Sequence, residues 1–212
     1  MADLKQLHEA IVTGKAPLAV ETVKAALDEG VDPQEIVNGY MIPAMDEVGD
    51  KFEKNEYFVP ELLIAARAMK QALEIVKPKL VEKGAKPMGR VAIATVKGDL
   101  HDIGKNLVAA MLEGAGFEII DLGVDAGPDK FLAAVKEKNA THIAMSALLT
   151  TTMPQMKNVI DALSAEGLRD KVKVMIGGAP ITQQYADEIG ADGYSDNAAG
   201  AVTIARQLAA AL

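Results

Sequence analysis

The chain has 212 residues, half of them hydrophobic, and a formal net charge of −8. That length allows one large domain or two small ones with a sizeable core, and the acidic balance argues against a nucleic-acid or anionic-membrane surface. The absence of cysteine excludes disulfides, zinc–thiolate sites and cysteine nucleophiles. The polar start, Met1-Ala2-Asp3-Leu4-Lys5-Gln6, runs directly into a helical pattern. It carries no signal peptide, and the sequence has no apolar run of membrane-spanning length, so a cytoplasmic protein is expected. Leu4, Leu7 and Ile11 share one helical face; Val20, Val23 and Leu27 share another. Gly30 suits a C-terminal cap. Asp32-Pro33-Gln34-Glu35 combines an N-cap, a proline at the first helical position and a glutamate at the capping-box position. Ile36, Met41, Met45, Val48 and Phe52 continue the apolar stripe. Pro60 opens a further helix bearing Leu62, Leu63, Ala66, Met69, Leu73 and Val76. Short loops between these segments predict a four-helix bundle over residues 1–85. From Lys77 to Gly89 the chain holds Pro78, Gly84, Pro87 and Gly89 and reads as a linker.

Beyond Arg90 the pattern changes. Strands are predicted near 91–96, 117–121, 142–147, 172–177 and 192–194, and helices near 104–115, 128–138, 153–166, 181–189 and 198–211. This alternation predicts an α/β domain over residues 90–212. Its five-stranded parallel sheet would carry helices on both faces in the flavodoxin/Rossmann-like manner.

Three loops should meet at the carboxyl edge of that sheet, where open α/β sheets bind ligands. The first holds Gly98, Asp99, Leu100, His101, Asp102, Ile103 and Gly104. A carboxylate two residues before a histidine can take the proton of one ring nitrogen and leave the other free for a metal. Gly104 lets a ligand pack where a side chain would clash. The second loop runs from Ser146 through Leu148, Thr150 and Thr152 to Pro154, and the third is Gly177-Gly178-Ala179-Pro180. Small and hydroxylic residues would line a slot, with one histidine at its mouth.

The order D-x-H-x-x-G, 41 residues, S-x-L, 28 residues, G-G resembles the signature of cobalamin-binding domains, and Asp99, His101, Gly104, Ser146, Leu148, Gly177 and Gly178 fill it. Val48-Gly49-Asp50-Lys51-Phe52 and Tyr57-Phe58-Val59-Pro60-Glu61-Leu62 look like the helical cap of methionine synthase. Nearly the whole chain is similar to the corrinoid proteins of methanol, methylamine and O-demethylase methyltransferase systems. The resemblance implies a bound cobalamin or related corrinoid, base-off and His-on, its displaced arm buried in the slot. His101 would be the lower axial ligand of cobalt, Asp99 would hold the imidazole, and Thr152 is the candidate hydroxyl behind it. Ser146 would meet the displaced base or its tail, Gly177 and Gly178 would flank the tail, and Phe58 would lie near the methyl group. It further implies a carrier without catalysis of its own. Such a carrier accepts methyl on cobalt(I) from a substrate-specific methyltransferase and yields it to a second one acting on tetrahydrofolate or a thiol, with a reductive activator.

Plainer readings stand beside these. Asp102 reads as an N-cap or first-turn charge, His8 as a surface residue of an amphipathic helix, and His142 as structural. Met41, Met45 and Met69 lie at helical spacing and read as core. The competing functions are a cobalamin subunit of an adenosylcobalamin-dependent mutase and a cobalamin-based sensor. The helical cap favours the carrier over the mutase, and no DNA-binding segment is visible for a sensor. A receiver domain would need an aspartate where Ser146 stands, and a nicotinamide enzyme would need G-x-G-x-x-G after the first strand.

Overall fold

The computed structural model describes residues 3–212, so Met1 and Ala2 of the polar start lie outside it. The chain forms two compact units. One reaches to Pro87 and takes in Glu113–Gly116; the other holds Met88–Leu112 and Phe117–Leu212.

The first unit contains α1 (Leu4–Val12), α2 (Ala16–Asp28), α3 (Pro33–Ile36), α4 (Ile42–Glu53) and α5 (Val59–Glu82). The Asp3 carboxylate caps α1 by accepting from the amides of Lys5 and Gln6, and Asp32 caps α3 by accepting from Gln34 at 2.8 Å. α3 does not stop at Ile36. A π turn, Val37–Met41, carries it into α4, so the third helix of the sequence reading is one rod with a π segment inside it. The apolar stripes are buried as expected at Leu7, Ile11, Val23, Ile36, Met41, Met45, Val48, Leu62, Met69 and Val76. Leu63 departs from its stripe and is 48% exposed.

The expected linker from Lys77 is shorter than the sequence suggests, because α5 continues through Pro78 to Glu82. A proline costs a helix one amide and crowds the carbonyl four residues back. Here both Pro78 and the residue it crowds, Glu74, are exposed. Water can therefore serve the freed carbonyl, and the last turn persists.

The second unit is built on β1 (Arg90–Thr95), β2 (Glu118–Asp121), β3 (His142–Ser146), β4 (Lys173–Gly177) and β5 (Gly193–Tyr194). They form one parallel sheet in the order β2-β1-β3-β4-β5, the flavodoxin order. Its helices are α6 (Ile103–Gly114), α7 (Pro128–Lys138), α8 (Pro154–Ala165), α9 (Gln183–Ile189) and α10 (Ala198–Ala209). The core of this unit gathers Phe131, Ile143, Met145, Met156, Leu163 and Val174. Strands buried on both faces explain the continuous apolar runs in the sequence. The register aligns Thr95, Ser146 and Gly177 side by side at the ends of β1, β3 and β4. The strand order reverses between β1 and β3, which sets a crevice between the loops that follow them. Among the described residues no helix is long and apolar enough to cross a membrane.

Candidate functional site

Asp99 is the centre of this crevice. It lies four residues beyond the end of β1, is fully buried, and has both carboxylate oxygens engaged. Oδ1 accepts from the His101 amide at 3.1 Å and faces His101 Nδ1 at 2.7 Å. Oδ2 accepts from the amides of Leu148 at 2.7 Å and Leu149 at 3.3 Å, and from the Thr152 hydroxyl at 2.9 Å. Burial pushes the carboxyl up, but these donors from the loop after β3 and from His101 outweigh it. They hold Asp99 well below the usual carboxylate range. An ionised carboxylate only accepts, so Nδ1 of His101 is assigned as the donor of this pair. Its ring is 52% exposed, and Nε2 makes no hydrogen bond among the described residues.

Apolar side chains surround that free nitrogen in the sequence and stand open to solvent. Leu100 is 72% exposed and Ile103 78%; Leu148 and Leu149, which close over Asp99 with their amides, are 44% and 42% exposed. A large exposed apolar patch marks a binding surface. The glycines suit a ligand in two different ways. At Gly104 a Cβ would meet nothing within 4 Å, so the missing side chain leaves room for a ligand. At Gly178, with φ +126°, a Cβ would overlap the Ala147 carbonyl oxygen, so the third loop can approach the second only as glycine. At Gly177 a Cβ would stand 3.1 Å from the Ser195 carbonyl oxygen, a milder and separate restriction.

The crevice thus brings together Gly98, Asp99, His101, Ser146, Leu148, Thr152 and Gly177 with Gly178. Ser146 is half-buried beside Thr95 and Gly177, and Thr150 is exposed on the same loop. Asp102 stands at the N-cap position of α6, where its carboxylate accepts from the Asn106 side chain at 3.1 Å. Phe58 belongs to the other unit, where it is 60% exposed and its amide donates to Glu61 at the start of α5. His8 pairs with Glu47 at 2.8 Å inside the helical unit, a partner that the surface reading did not foresee. His142 is buried with Nδ1 at 2.9 Å from the Thr141 hydroxyl and its ring edge-on to Phe117, as a structural histidine should be.

Three supports of the histidine loop were missed in the sequence. The buried Thr95 hydroxyl donates to the His101 carbonyl at 2.6 Å. Asp125 accepts from the Gly98 amide at 2.7 Å. Lys105, nearly buried on α6, places its ammonium 2.7 and 2.8 Å from the two oxygens of Asp121 at the end of β2. The available signal was weak. Thr95 is the one hydroxyl in an apolar strand, and Asp121 and Asp125 are two carboxylates in a tight loop.

A metal carried in an apolar ring would fit this arrangement. His101 would offer a ring nitrogen that has no hydrogen bond among the described residues, Leu100, Ile103, Leu148 and Leu149 would offer exposed apolar side chains, and the glycines would let the ligand approach the backbone. Two family models, each described as a B12 binding domain, match the chain, one over residues 89–203 and the other over residues 3–77. Dimethylamine corrinoid protein 1 of Methanosarcina acetivorans is 45% identical over 98% of this chain and 97% of its own length. The crystal structure of a cobalamin-binding protein from Desulfitobacterium hafniense superposes with a TM-score of 0.80 at 34% identity, covering 98% and 99% of the two chains. That of the methanol:cobalamin methyltransferase complex MtaBC from Methanosarcina barkeri gives 0.87 at 31% identity, over 99% of this chain and 80% of that one.

Proposed function

The chain belongs to the B12 binding domain family, and from that membership we propose that it is a corrinoid methyl carrier working between two methyltransferases. The first is specific for a methyl donor and loads it. The second unloads it to tetrahydrofolate or a thiol, and a reductive activator restores it after oxidation. It performs no turnover alone. When bound, the corrinoid supplies a cobalt that is strongly nucleophilic when reduced and tolerates an axial nitrogen donor when oxidised.

The chain's own residues do the rest. His101 would hold cobalt from below through Nε2, with the cofactor's own base displaced into the crevice beside Ser146 and Thr150. Leu100, Ile103 and Leu148 would lie along its apolar surface. Gly177 and Gly178 would let its tail run along the backbone, and Gly104 would leave room above α6. Asp99 fixes the imidazole plane and keeps the proton on Nδ1; Thr152 completes the carboxylate's partners from behind. Ligation needs the lone pair of Nε2, which no described residue occupies. Residues 1–85 would act as the cap and 90–212 as the corrinoid domain, with Phe58 on the cap side.

The observation that supports this reading most is the pairing of a free Nε2 with a Nδ1 bound to a fully buried carboxylate. The test uses the full chain loaded with cobalamin and reduced. It is mixed with the methyltransferase encoded beside it and isotope-labelled methyl donors. Label should enter the protein-bound corrinoid only when the methyltransferase is present, and His101→Ala should lose corrinoid on gel filtration. Mutase activity with adenosylcobalamin, or no labelling beside any neighbouring methyltransferase, would defeat the carrier reading.

A further inference from the structure

We propose that Asp125 is a positioning residue for His101, setting how firmly the imidazole holds cobalt; this rests on the reading of His101 as the axial ligand. Asp125 lies in the loop between β2 and α7 with φ +51°, a left-handed conformation that few side chains other than Asn and Asp adopt. That conformation lets one residue grip the histidine loop at two points. Its Oδ1 accepts from the Gly98 amide at 2.7 Å, and its own amide donates to the Asp99 carbonyl at 3.1 Å. The two bonds bracket Gly98 and Asp99 and fix the direction in which the Asp99 side chain leaves the backbone. Asp99 in turn fixes the His101 ring through Nδ1.

The loop that holds Asp125 is itself anchored to the end of β1. The Thr95 amide donates to the Gly123 carbonyl at 3.1 Å, and the Ala126 amide donates to the Thr95 carbonyl at 3.0 Å. The Thr95 hydroxyl closes the circuit on the His101 carbonyl. Asp125 therefore connects a rigid strand end to the ligand's own partner. Metal ligands need placement within about 0.5 Å and 10–20° to hold well, and a tie at residues 98 and 99 acts at that scale.

Asp125 and Gly98 are both exposed. Water can replace the lost acceptor, so removing the carboxylate should leave folding nearly intact while loosening the ring. The two effects are separable for that reason.

The experiment compares cobalamin-loaded full chains of wild type, Asp125→Gly, Asp125→Asn and Asp125→Ala. Glycine keeps the left-handed backbone and its amide bond but removes the acceptor; asparagine keeps all three. The readouts are the axial-nitrogen splitting in the paramagnetic resonance of the cobalt(II) form and the rate of corrinoid loss, beside thermal unfolding of the unloaded chains. Asp125→Gly should lower the histidine-bound share several-fold, less than the roughly 10- to 100-fold cost typical of losing a direct partner. Asp125→Asn should restore it, and unfolding temperatures should stay close together. Asp125→Ala removes the same acceptor but strains the left-handed backbone, so it is the one variant expected to unfold earlier, while holding the histidine no better than the glycine chain. Wild-type splitting and retention in Asp125→Gly, or an Asp125→Asn chain as weak as the glycine one, overturns the positioning role. Absence of nitrogen splitting in the wild type instead overturns His101 as the ligand, so the two failures are distinguishable.

Discussion

Gly104 and Gly178 answer to different constraints, and substitution separates them. Gly104 sits in the first turn of α6, outside the positive-φ region, with open space where a Cβ would go. Gly104→Ala should stabilise the unloaded chain by about 0.5–1 kcal/mol, the usual helix gain, and weaken corrinoid retention, because the new methyl occupies the ligand's room. Gly178→Ala should do the opposite to folding. It meets the Ala147 carbonyl at a φ hostile to side chains and should cost about 1–3 kcal/mol. Denaturant unfolding with retention assays decides both; a destabilised Gly104→Ala would sink the account of that glycine. His142 makes a second prediction at this scale. Burial pulls it below its ordinary value, with Lys173 adding and the Ala205 backbone and Asp192 opposing. The unfolded chain therefore takes up a proton there more readily than the folded chain. Its contribution is present above the ordinary value of 6.5 and is lost as pH falls through the folded one. Stability should decline as pH falls below about 6.5, and His142→Leu should flatten that decline. An unchanged slope in the variant would place the acid sensitivity elsewhere.

At the scale of elements, the Lys105–Asp121 pair joins α6 to the end of β2, and its two halves are unequally exposed. Lys105 is 3% exposed and Asp121 50%. Removing the lysine frees a carboxylate that water can reach; removing the aspartate strands an ammonium in the interior. Asp121→Asn should therefore destabilise more than Lys105→Met, toward the roughly 3–5 kcal/mol seen when a buried pair loses one member, reduced by the exposure of Asp121. Equal losses in urea unfolding would count against this asymmetry. The elements themselves were largely legible, since the inner strands β1, β3 and β4 carry apolar runs and the longer helices an apolar stripe. The site loops were legible because Asp99, His101, Ser146 and Gly177 keep a fixed spacing that the sheet register converts into proximity. What stayed hidden was long-range pairing of ordinary residues. Nothing local marks Asp125 for Gly98 or Lys105 for Asp121, because such partners are chosen by strand order rather than by neighbours in the chain. Pro78 misled for the converse reason: its local meaning is a helix stop, and solvent exposure cancels it.

At the scale of the whole molecule, the two compact units make independence testable. The fragment Met88–Leu212 contains the complete parallel sheet and every residue of the Asp99 network. Expressed alone, it should fold and take up cobalamin. If residues 1–85 shield the reduced cofactor, cobalt(I) in the fragment should oxidise faster in air than in the full chain. A fragment that cannot fold would show that the helical unit is part of one cooperative structure. Equal oxidation rates would remove the shielding role.

Asp99 has one last consequence, for the protein's economy of assembly. Its acceptor positions are filled by the chain itself, from His101, Leu148, Leu149 and Thr152, so the network around it is completed by folding alone. In small zinc domains the metal supplies the folding energy, and the empty chain collapses. Here folding should not wait on the cofactor, and the two would be linked only by mass action. Such a carrier would be emptied, stored and refilled as a folded protein, and cooperative thermal unfolding of the unloaded chain is the expected sign of it.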